Sequence, residues 1–597
     1  MGILIKRVEV NNYRSLKNVQ FDLRKYNLFI GKNNSGKSNV LKAIDIAFSY
    51  INVDKEDLYL SENDVFDSRK EIVIDVLMKP SGDEEDFNNE WTSYLGEAIK
   101  QFIMSDNDYL AFRTVLKFDE IRDVFVNRKY LINSWENKII ARTNLNRGIL
   151  ERINSYFIDA KRDIFDDIRN KSSLWSKTTN NFDIPDDKKM EIESSLEAVN
   201  QQIIDNVEEL SIIKRNLIGA ATIPDSTIKV YPLTRDLDSL YKGMNIYYKS
   251  PNGTDVSVEN NGMGTRSLAV LSSFKSFVEI EKKKYDLTND VVYNLLLIEE
   301  PESHVHPHAQ KYIYNKITEI DAQIITTSHS PYIVYMSDIN DLMITHFSDA
   351  VTTVSTIDLN SLTSSEVDQI SNHVLRTKGE ILFSNIVVLC EGMTDELILP
   401  TFIESKLSAS LDELGISLVG VEGQNYKPFV TMLESLNIPW VIFSDGEENT
   451  MTQLKNAMMN LMNISENEYE NLNNIITIEN GDDIESYLFQ DYKVEIKNAI
   501  ISEIGQSEYD FIKNGLSGKK RKRKYYSKFN NIVVRDYENE PPHTQVLDIL
   551  YANKGKFGKV IAKTILSLDE TRRIPSKIEE LVSVIRNILD LRGEMND

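Results

Sequence analysis

The sequence predicts an α/β protein in two parts: a nucleotide-binding head interrupted by a helical insertion, and a doubly wound α/β domain behind it. Three observations predict this. A Gly-rich loop stands between an apolar run and an amphipathic segment at 27–48. Apolar runs of the buried-strand kind return at 291–298 and 324–327. From 386 onward strand-like and helix-like segments alternate, the pattern of a covered parallel sheet.

In chain order, short strands are expected at 3–10 and 19–23, ahead of the apolar run Asn27-Leu28-Phe29-Ile30. Gly31-Lys32-Asn33-Asn34-Ser35-Gly36-Lys37-Ser38 fits G-x-x-x-x-G-K-[ST], and Val40, Leu41, Ile44 and Phe48 then follow at helical spacing. Glycines let backbone N–H groups curl around phosphates, and the helix N-terminus adds positive potential. Gly31, Asn33, Asn34, Ser35 and Gly36 form the cradle, Lys37 reaches the β/γ-phosphates, and the Ser38 hydroxyl serves Mg²⁺. Another strand is expected at 72–79. The region 85–240 reads as a helical insertion, most clearly at 186–216, where Ile192, Leu196, Val199, Ile203, Val207 and Leu210 keep a 3-4 spacing suited to packing or dimerisation.

The strand at 291–298 ends in Glu299-Glu300-Pro301-Glu302, where Glu299 would meet the Mg²⁺ shell and Glu300 would polarise a water. His329, after the next strand, is placed to sense a γ-phosphate. Gly262 and Gly264 form a Gly-containing turn ahead of a helix at 268–277. In the second part, strands are expected at 386–390, 416–421 and 440–443, with helices at 396–405 and 427–435. Carboxylates follow these strands: Glu391 and Asp395, then Asp445 and Glu447, and, after the apolar run at 475–478, Asp483 and Glu485. Carboxylates at the ends of neighbouring parallel strands converge. An all-oxygen cluster selects Mg²⁺ or Mn²⁺, and two such ions roughly 4 Å apart can drive phosphodiester cleavage.

Composition sets outer bounds. With 597 residues the chain is long enough for several domains, and its net charge of −24 excludes a uniformly basic, nucleic-acid-coating surface. A local basic run does occur, Lys519-Lys520-Arg521-Lys522-Arg523-Lys524, suited to a DNA backbone path. The single cysteine, Cys390, excludes an internal disulfide framework. With no signal-like N-terminus and no apolar run of ~18–20 residues, a cytoplasmic location is expected.

In this order the motifs of the first part resemble ABC-type ATPase heads of the SMC, RecF and RecN kind. The resemblance covers Asn12-Tyr13-Arg14-Ser15-Leu16, the phosphate loop, Gly262 and Gly264 as a signature-like turn, Glu299-Glu300 as Walker B and His329 as the switch histidine. It implies ATP as cofactor, Arg14 at the nucleotide, and head-to-head dimers or higher oligomers with composite sites. The usual Ser-Gly-Gly-Gln signature is absent, implying slow hydrolysis or a head that only senses nucleotide. Ser303-His304-Val305-His306-Pro307-His308 matches the family's helix start rather than a metal site. The second part resembles a Toprim domain, with Asp445-Gly446-Glu447 in place of its Asp-x-Asp. An ATPase head followed by Toprim resembles the OLD (overcoming lysogenization defect) nucleases.

That resemblance implies an ABC-type head at 1–84 and 241–375, a dimerisation insertion at 85–240 and a Toprim nuclease domain at 376–597. It carries over Glu391, Asp395, Asp445, Glu447, Asp483 and Glu485 as metal ligands, and Lys554 or Lys556 as the cation facing the cleaved phosphate. The implied activity is an ATP-regulated, metal-dependent DNA endonuclease or nickase in prokaryotic anti-phage defence. The implied partners are DNA and either a UvrD-like helicase (Gabija-type) or a retron reverse transcriptase with its RNA and DNA. Two other readings stand beside it: a Toprim topoisomerase or primase-like enzyme, and a non-catalytic DNA-binding ATPase of the SMC/RecF type.

Overall fold

A computed structural model of the chain describes residues 2–61, 66–82, 84–159, 185–207, 247–249, 255–257, 263–288, 290–303, 305–372, 378–421, 425–479, 482–516, 520–522, 532–534, 542–552 and 555–591. The chain divides into two compact units. The first holds Met1–Phe29, Asn33–Met336 and Phe347–Val354; the second holds Ile30–Lys32, Ser337–His346 and Ser355–Asp597.

The N-terminal strands are β1 (Ile3–Tyr13), β2 (Leu16–Asp22), β3 (Tyr26–Ile30), β4 (Ile72–Pro80), β5 (Lys100–Gln101), β6 (Asp108–Asp119), β7 (Val124–Ser134), β8 (Ile139–Asn144) and β9 (Ile153–Ile158). One sheet runs β2-β1-β4-β6-β7-β8, antiparallel throughout, with β5 against β6. A short hairpin, β10 (Tyr247–Lys249) and β11 (Asp255–Ser257), precedes β12 (Tyr293–Glu299), β13 (Gln323–Ser328), β14 (Leu342–Ser348) and β15 (Val351–Thr356). These join a second sheet in the order β15-β14-β3-β13-β12-β9, in which β9, β12 and β13 are parallel. Leu295, Leu296, Leu297 and Ile298 of β12 are wholly buried, as a strand covered on both faces requires.

The helix Lys37–Phe48 lies between these sheets, against β1, β4 and β6 on one side and β9, β12 and β13 on the other. Its sequence explains the position: Val40, Leu41, Ala43, Ile44 and Ala47 give it apolar surface all round, and all are fully buried. Phe48 meets Phe112 edge-on, with ring centroids 5.4 Å apart. At its C-terminal end Lys129 of β7 donates to the carbonyls of Ile46 (3.0 Å) and Ala47 (2.7 Å) and to Thr114 Oγ1 (3.2 Å). A cation there satisfies carbonyls the helix leaves open. Burial pulls the Lys129 ammonium down to about 7, with Asp45 pulling it back up.

The region 85–240, expected to be helical, is not helical throughout: β5 to β9 occupy much of 100–158. Aromatic and β-branched residues such as Tyr109, Phe112, Val115, Phe125, Val126 and Tyr130 carry the strands. Their alternation was outweighed in the sequence by the helical spacing further on. That spacing does form a helix, Asp186–Asn206, with Ile192 and Val199 exposed; Leu210 lies outside the described residues.

The second unit contains β16 (Ile386–Cys390), β17 (Ile416–Gly420), β18 (Trp440–Ser444) and β19 (Ile475–Thr477), a parallel sheet in the order β17-β16-β18-β19. Strand order reverses at β16, the switch point at which ligands enter doubly wound sheets. The helices Met393–Leu407, Gly558–Leu566 and Ser576–Leu591 share one core with the sheet, through Phe402, Ile561 and Leu581 among others. No helix among the described residues is long and apolar enough to cross a membrane.

Within the first unit Gln323, fully buried at the start of β13, joins the two sheets. Its Oε1 accepts from the Ile5 amide (2.8 Å) and the Tyr293 hydroxyl, and its Nε2 donates to the carbonyls of Ile5 (2.9 Å) and Arg24 (2.7 Å). Gln323→Leu keeps similar bulk and strands these groups, each costing about 1–3 kcal/mol when buried unpaired. The expected result is a loss on the order of 3 kcal/mol in denaturant unfolding of the first unit's transition. An unchanged midpoint would show that other contacts hold the sheets together.

Candidate functional site

The chain leaves β3 through a loop of unusual backbone: Gly31 has φ 150°, Asn34 62° and Gly36 97°. Gly36 is required twice. Its left-handed φ suits glycine, and an added Cβ would lie 2.1 Å from Thr352 Oγ1. Thr352 is buried and donates to the Ser35 carbonyl at 3.0 Å, so the strand β15 pins the loop. A cleft of about 590 Å³ opens above, lined by Asn33, Asn34, Ser35, Gly36, Lys37, Ser38, Glu300 and His329 among others. Lys37 is 5% exposed. Burial lowers its pKa to about 8, against the pull of Glu300, Glu302 and Glu299. The Ser38 hydroxyl is hydrogen-bonded to Glu299, the two groups expected to share a Mg²⁺.

Glu300 sits in the left-handed region at φ 44° and approaches His329 Nε2 at 3.2 Å. The orientation of His329 depends on a residue that sequence reading gave no role. Glu302 accepts from the His329 backbone N–H (2.6 Å) and the Ser328 hydroxyl (2.8 Å) through one oxygen, and burial raises its pKa. Arg14 is not on the cleft wall. It pairs with Asp57 at 2.6 Å and reaches Asn39, which is on the wall, at 3.2 Å. Gly264 lies in the first turn of the helix Met263–Thr288 rather than in a turn before it, and Gly262 is outside the described residues. His306 caps the helix Pro307–Thr318, as the helix-start reading expects.

In the second unit Glu391, Asp445 and Asp483 follow β16, β18 and β19. Asp395, buried in the first turn of the helix Met393–Leu407, accepts from the Gly392 amide at 3.0 Å. Asp445 registers the crowding. Burial, then Glu391 and Asp395, then a hydrogen bond shared with Glu391 and the charge of Asp483 push its carboxyl far above the usual carboxylate range. Glu391, Asp395 and Asp483 therefore each lie within electrostatic reach of Asp445. Burial, then the charges of Asp395, Glu396 and Asp445, raise the Cys390 thiol, which makes it an inert core group. Tyr426, another residue missed in sequence, is buried with its hydroxyl near Ser444 and Glu391, and its pKa is raised.

The remaining expected site residues differ in setting. Glu447 is exposed at the N-cap of the helix Glu448–Met462. Glu485 is 3% exposed and accepts from Thr394 Oγ1 at 3.0 Å, tying two helix starts together. Lys556 is exposed, and Lys554 lies outside the described residues. Of the basic run, Lys520, Arg521 and Lys522 form a strand paired with Ile532–Val534, not a loop; Lys519, Arg523 and Lys524 lie outside the described residues. Gly446 has its own reason to be glycine. Its amide donates to the Asp482 carbonyl at 2.9 Å, and an added Cβ would lie 1.9 Å from the Ile478 carbonyl oxygen. That close backbone approach brings the ends of β18 and β19 together.

Among the described residues no three His, Cys, Asp or Glu side chains stand as a closed cation cage. The shift on Asp445 and the absence of a cage are compatible: the carboxylates are close enough to repel, and a cation would draw them in. An all-oxygen set of this kind fits a hard divalent ion.

Fold and sites together define a P-loop ATPase head joined to a Toprim-type domain. Residues 4–334 match the AAA ATPase domain family, and residues 382–446 match the TOPRIM domain of the overcoming lysogenization defect protein-like family. The chain belongs to the AAA ATPase domain family, and behind that domain it carries an OLD-like Toprim domain. It is 20% identical over 468 residues to the OLD nuclease of Thermus scotoductus, covering 74% of this chain and 82% of that protein. It is 24% identical over 578 residues to endonuclease GajA of Bacillus cereus, covering 90% and 91%. Among solved structures, the C-terminal region of the Xanthomonas campestris pv. campestris OLD protein aligns at 23% identity and TM-score 0.27, over 36% of this chain and 98% of that one. The two domains imply nucleotide binding and use of a divalent cation, and with these relatives they support an ATP-dependent nuclease.

The pKa of Lys37 gives nucleotide binding a pH dependence. Polyphosphate binds the protonated amine, so affinity is flat below about 8 and falls as pH rises through it. The dissociation constant of a non-hydrolysable ATP analogue is expected to rise by up to about tenfold per pH unit above that point. Lys37→Met should bind weakly and lack the inflection. A wild-type profile flat to pH 9.5 would contradict this.

Proposed function

We propose that this chain is an ATP-regulated DNA endonuclease or nickase that uses Mg²⁺ or Mn²⁺ and acts against phage or other foreign DNA. The observation that carries the proposal is the crowding of Glu391, Asp395, Asp445 and Asp483 at the ends of parallel strands, in a chain that also carries a phosphate-binding loop. The names of the OLD and GajA relatives support the same chemistry.

In this reading Glu391, Asp395, Asp445 and Asp483 hold the cation. When bound, it supplies Lewis-acid activation of water and neutralises charge at the scissile phosphate. Glu485 positions the start of the helix Met393–Leu407 through Thr394 and is not itself a ligand. Glu447, exposed beside the cluster, is available to the DNA-bound state rather than to the resting site. Lys554, with Lys556 next to it, faces the cleaved phosphate. The strand Lys520–Lys522 supplies phosphate contacts along the DNA. The head comprises 1–159 and 241–375, the insertion 160–240 and the nuclease domain 376–597; heads pair in a homodimer or larger assembly. In the head, Lys37, Ser38, Glu299, Glu300 and His329 bind and report nucleotide, and the head controls cleavage rather than performing it. We propose no helicase or reverse-transcriptase partner.

Supercoiled plasmid incubated with Mg²⁺ or Mn²⁺ tests this. Glu391→Ala is expected to lower nicking by about two orders of magnitude or more, and Lys37→Ala to remove the response of cleavage to ATP. Equal nicking by wild type and Glu391→Ala would overturn the assignment, and covalent protein–DNA adducts would favour a topoisomerase.

A further inference from the structure

Asp483 differs from its neighbours in how it is held. It is the N-cap of the helix Ile484–Asp491, and its Oδ1 accepts from the Ser486 backbone N–H at 2.9 Å. The same Oδ1 accepts a second hydrogen bond, at 2.7 Å, from the hydroxyl of Tyr551. Asp483 Oδ2 receives none among the described residues. One oxygen is thus committed to the protein while the other is left for an external partner. The cap bond alone would leave the carboxylate free to exchange its oxygens by rotation; two donors converging on one oxygen oppose that exchange.

Tyr551 is itself fixed. It is 7% exposed, near the end of the helix Pro542–Ala552, and its hydroxyl lies 2.6 Å from Ser486 Oγ. A phenol has one proton to donate. Because an ionised Asp483 can only accept, that proton goes to Asp483, and the Ser486 hydroxyl must donate to the phenol oxygen. The result is a directional chain, Ser486 to Tyr551 to Asp483, whose links strengthen one another. It also fastens the helix Pro542–Ala552 to the helix Ile484–Asp491 beside the cluster.

We infer that Tyr551 is a positioning residue for the divalent cation: through its bond to Oδ1 it holds Asp483 with Oδ2 available as a ligand. The inference rests on reading Asp483 as a cation ligand. Partners of this kind, one bond removed from the ion, are worth roughly 10–100-fold in metal affinity.

The test uses the full chain, with Mn²⁺ as probe. Free Mn²⁺ is titrated by electron paramagnetic resonance, and the Mn²⁺ concentration giving half-maximal plasmid nicking is measured in parallel. Tyr551→Phe keeps the buried ring and removes only the hydroxyl. It should weaken Mn²⁺ binding about tenfold or more and raise the half-activating concentration to match, with nicking largely restored at saturating Mn²⁺. Its ATP-analogue affinity should stay at the wild-type value, and its thermal midpoint should fall only slightly, as the loss of one hydrogen-bonding hydroxyl requires. Ser486→Ala, which keeps the backbone cap, should shift Mn²⁺ affinity in the same direction but less. Asp483→Asn and Glu391→Ala calibrate the assay. If both weaken Mn²⁺ binding while Tyr551→Phe leaves it unchanged, the positioning role is wrong. If neither weakens it, the cation site itself is wrong and the role of Tyr551 falls with it.

Discussion

The carboxyl groups at the ends of β16, β18 and β19 repel one another, and burial raises the cost of charging them. Asp445 shows the strain most plainly, because its proton is retained far above the usual carboxylate range. Much of the second unit can be understood as a frame that tolerates this crowding. Parallel strands bring their ends to one edge. Gly446 lets the backbone after β18 touch that after β19, where any side chain would strike the Ile478 carbonyl. Asp395 and Asp483 each take a backbone N–H at a helix start, where the helix dipole favours a negative group. A divalent cation is the natural relief of such a cluster, so the use of a metal follows from the same repulsion that makes the cluster costly to assemble.

The head follows a different logic. Its phosphate loop carries little side-chain chemistry, so it depends on backbone shape, and that shape is held from outside the loop. Thr352 occupies the space a side chain at Gly36 would need. Lys129 closes the far end of the helix Lys37–Phe48, and Gln323 binds one sheet to the other. Glu302 fixes the backbone of His329, so the position of the histidine opposite Glu300 is set by a neighbouring carboxylate. The loop is thereby a shaped receptor for phosphate, and the burial of Lys37, which outweighs the pull of the nearby glutamates, makes that receptor sensitive to pH.

Much of this was legible in one dimension. The phosphate loop was readable because its spacing is local, and the four strands of the second unit because each is a short apolar run ending in a charged or glycine turn. The strands β5 to β9 were misread. Their pattern is interrupted by polar residues such as Arg113, Lys117 and Arg128, and a stronger helical period lies nearby at 186–206. Asp445 is half-buried while Glu447, two residues on, is exposed at a helix N-cap, a difference that sequence spacing does not show. Glu302 follows the glutamate pair by two residues, and nothing in the sequence marks its role. Tyr551 and Tyr426 carried no sequence signal, since a tyrosine is most often a packing residue.

The sequence by itself determined the chemistry available: a phosphate loop, a glutamate pair after a buried strand, and acidic residues after several others. These follow from local spacing, where covalent geometry already limits which side chains can meet. Only the tertiary structure decided how far each carboxylate is buried and which residues hold it. Those choices depend on strand order and on contacts across long stretches of chain, such as Asp483 with Tyr551 and Thr394 with Glu485. No local period encodes them, because they arise when separate elements pack and each buried polar group must find a partner.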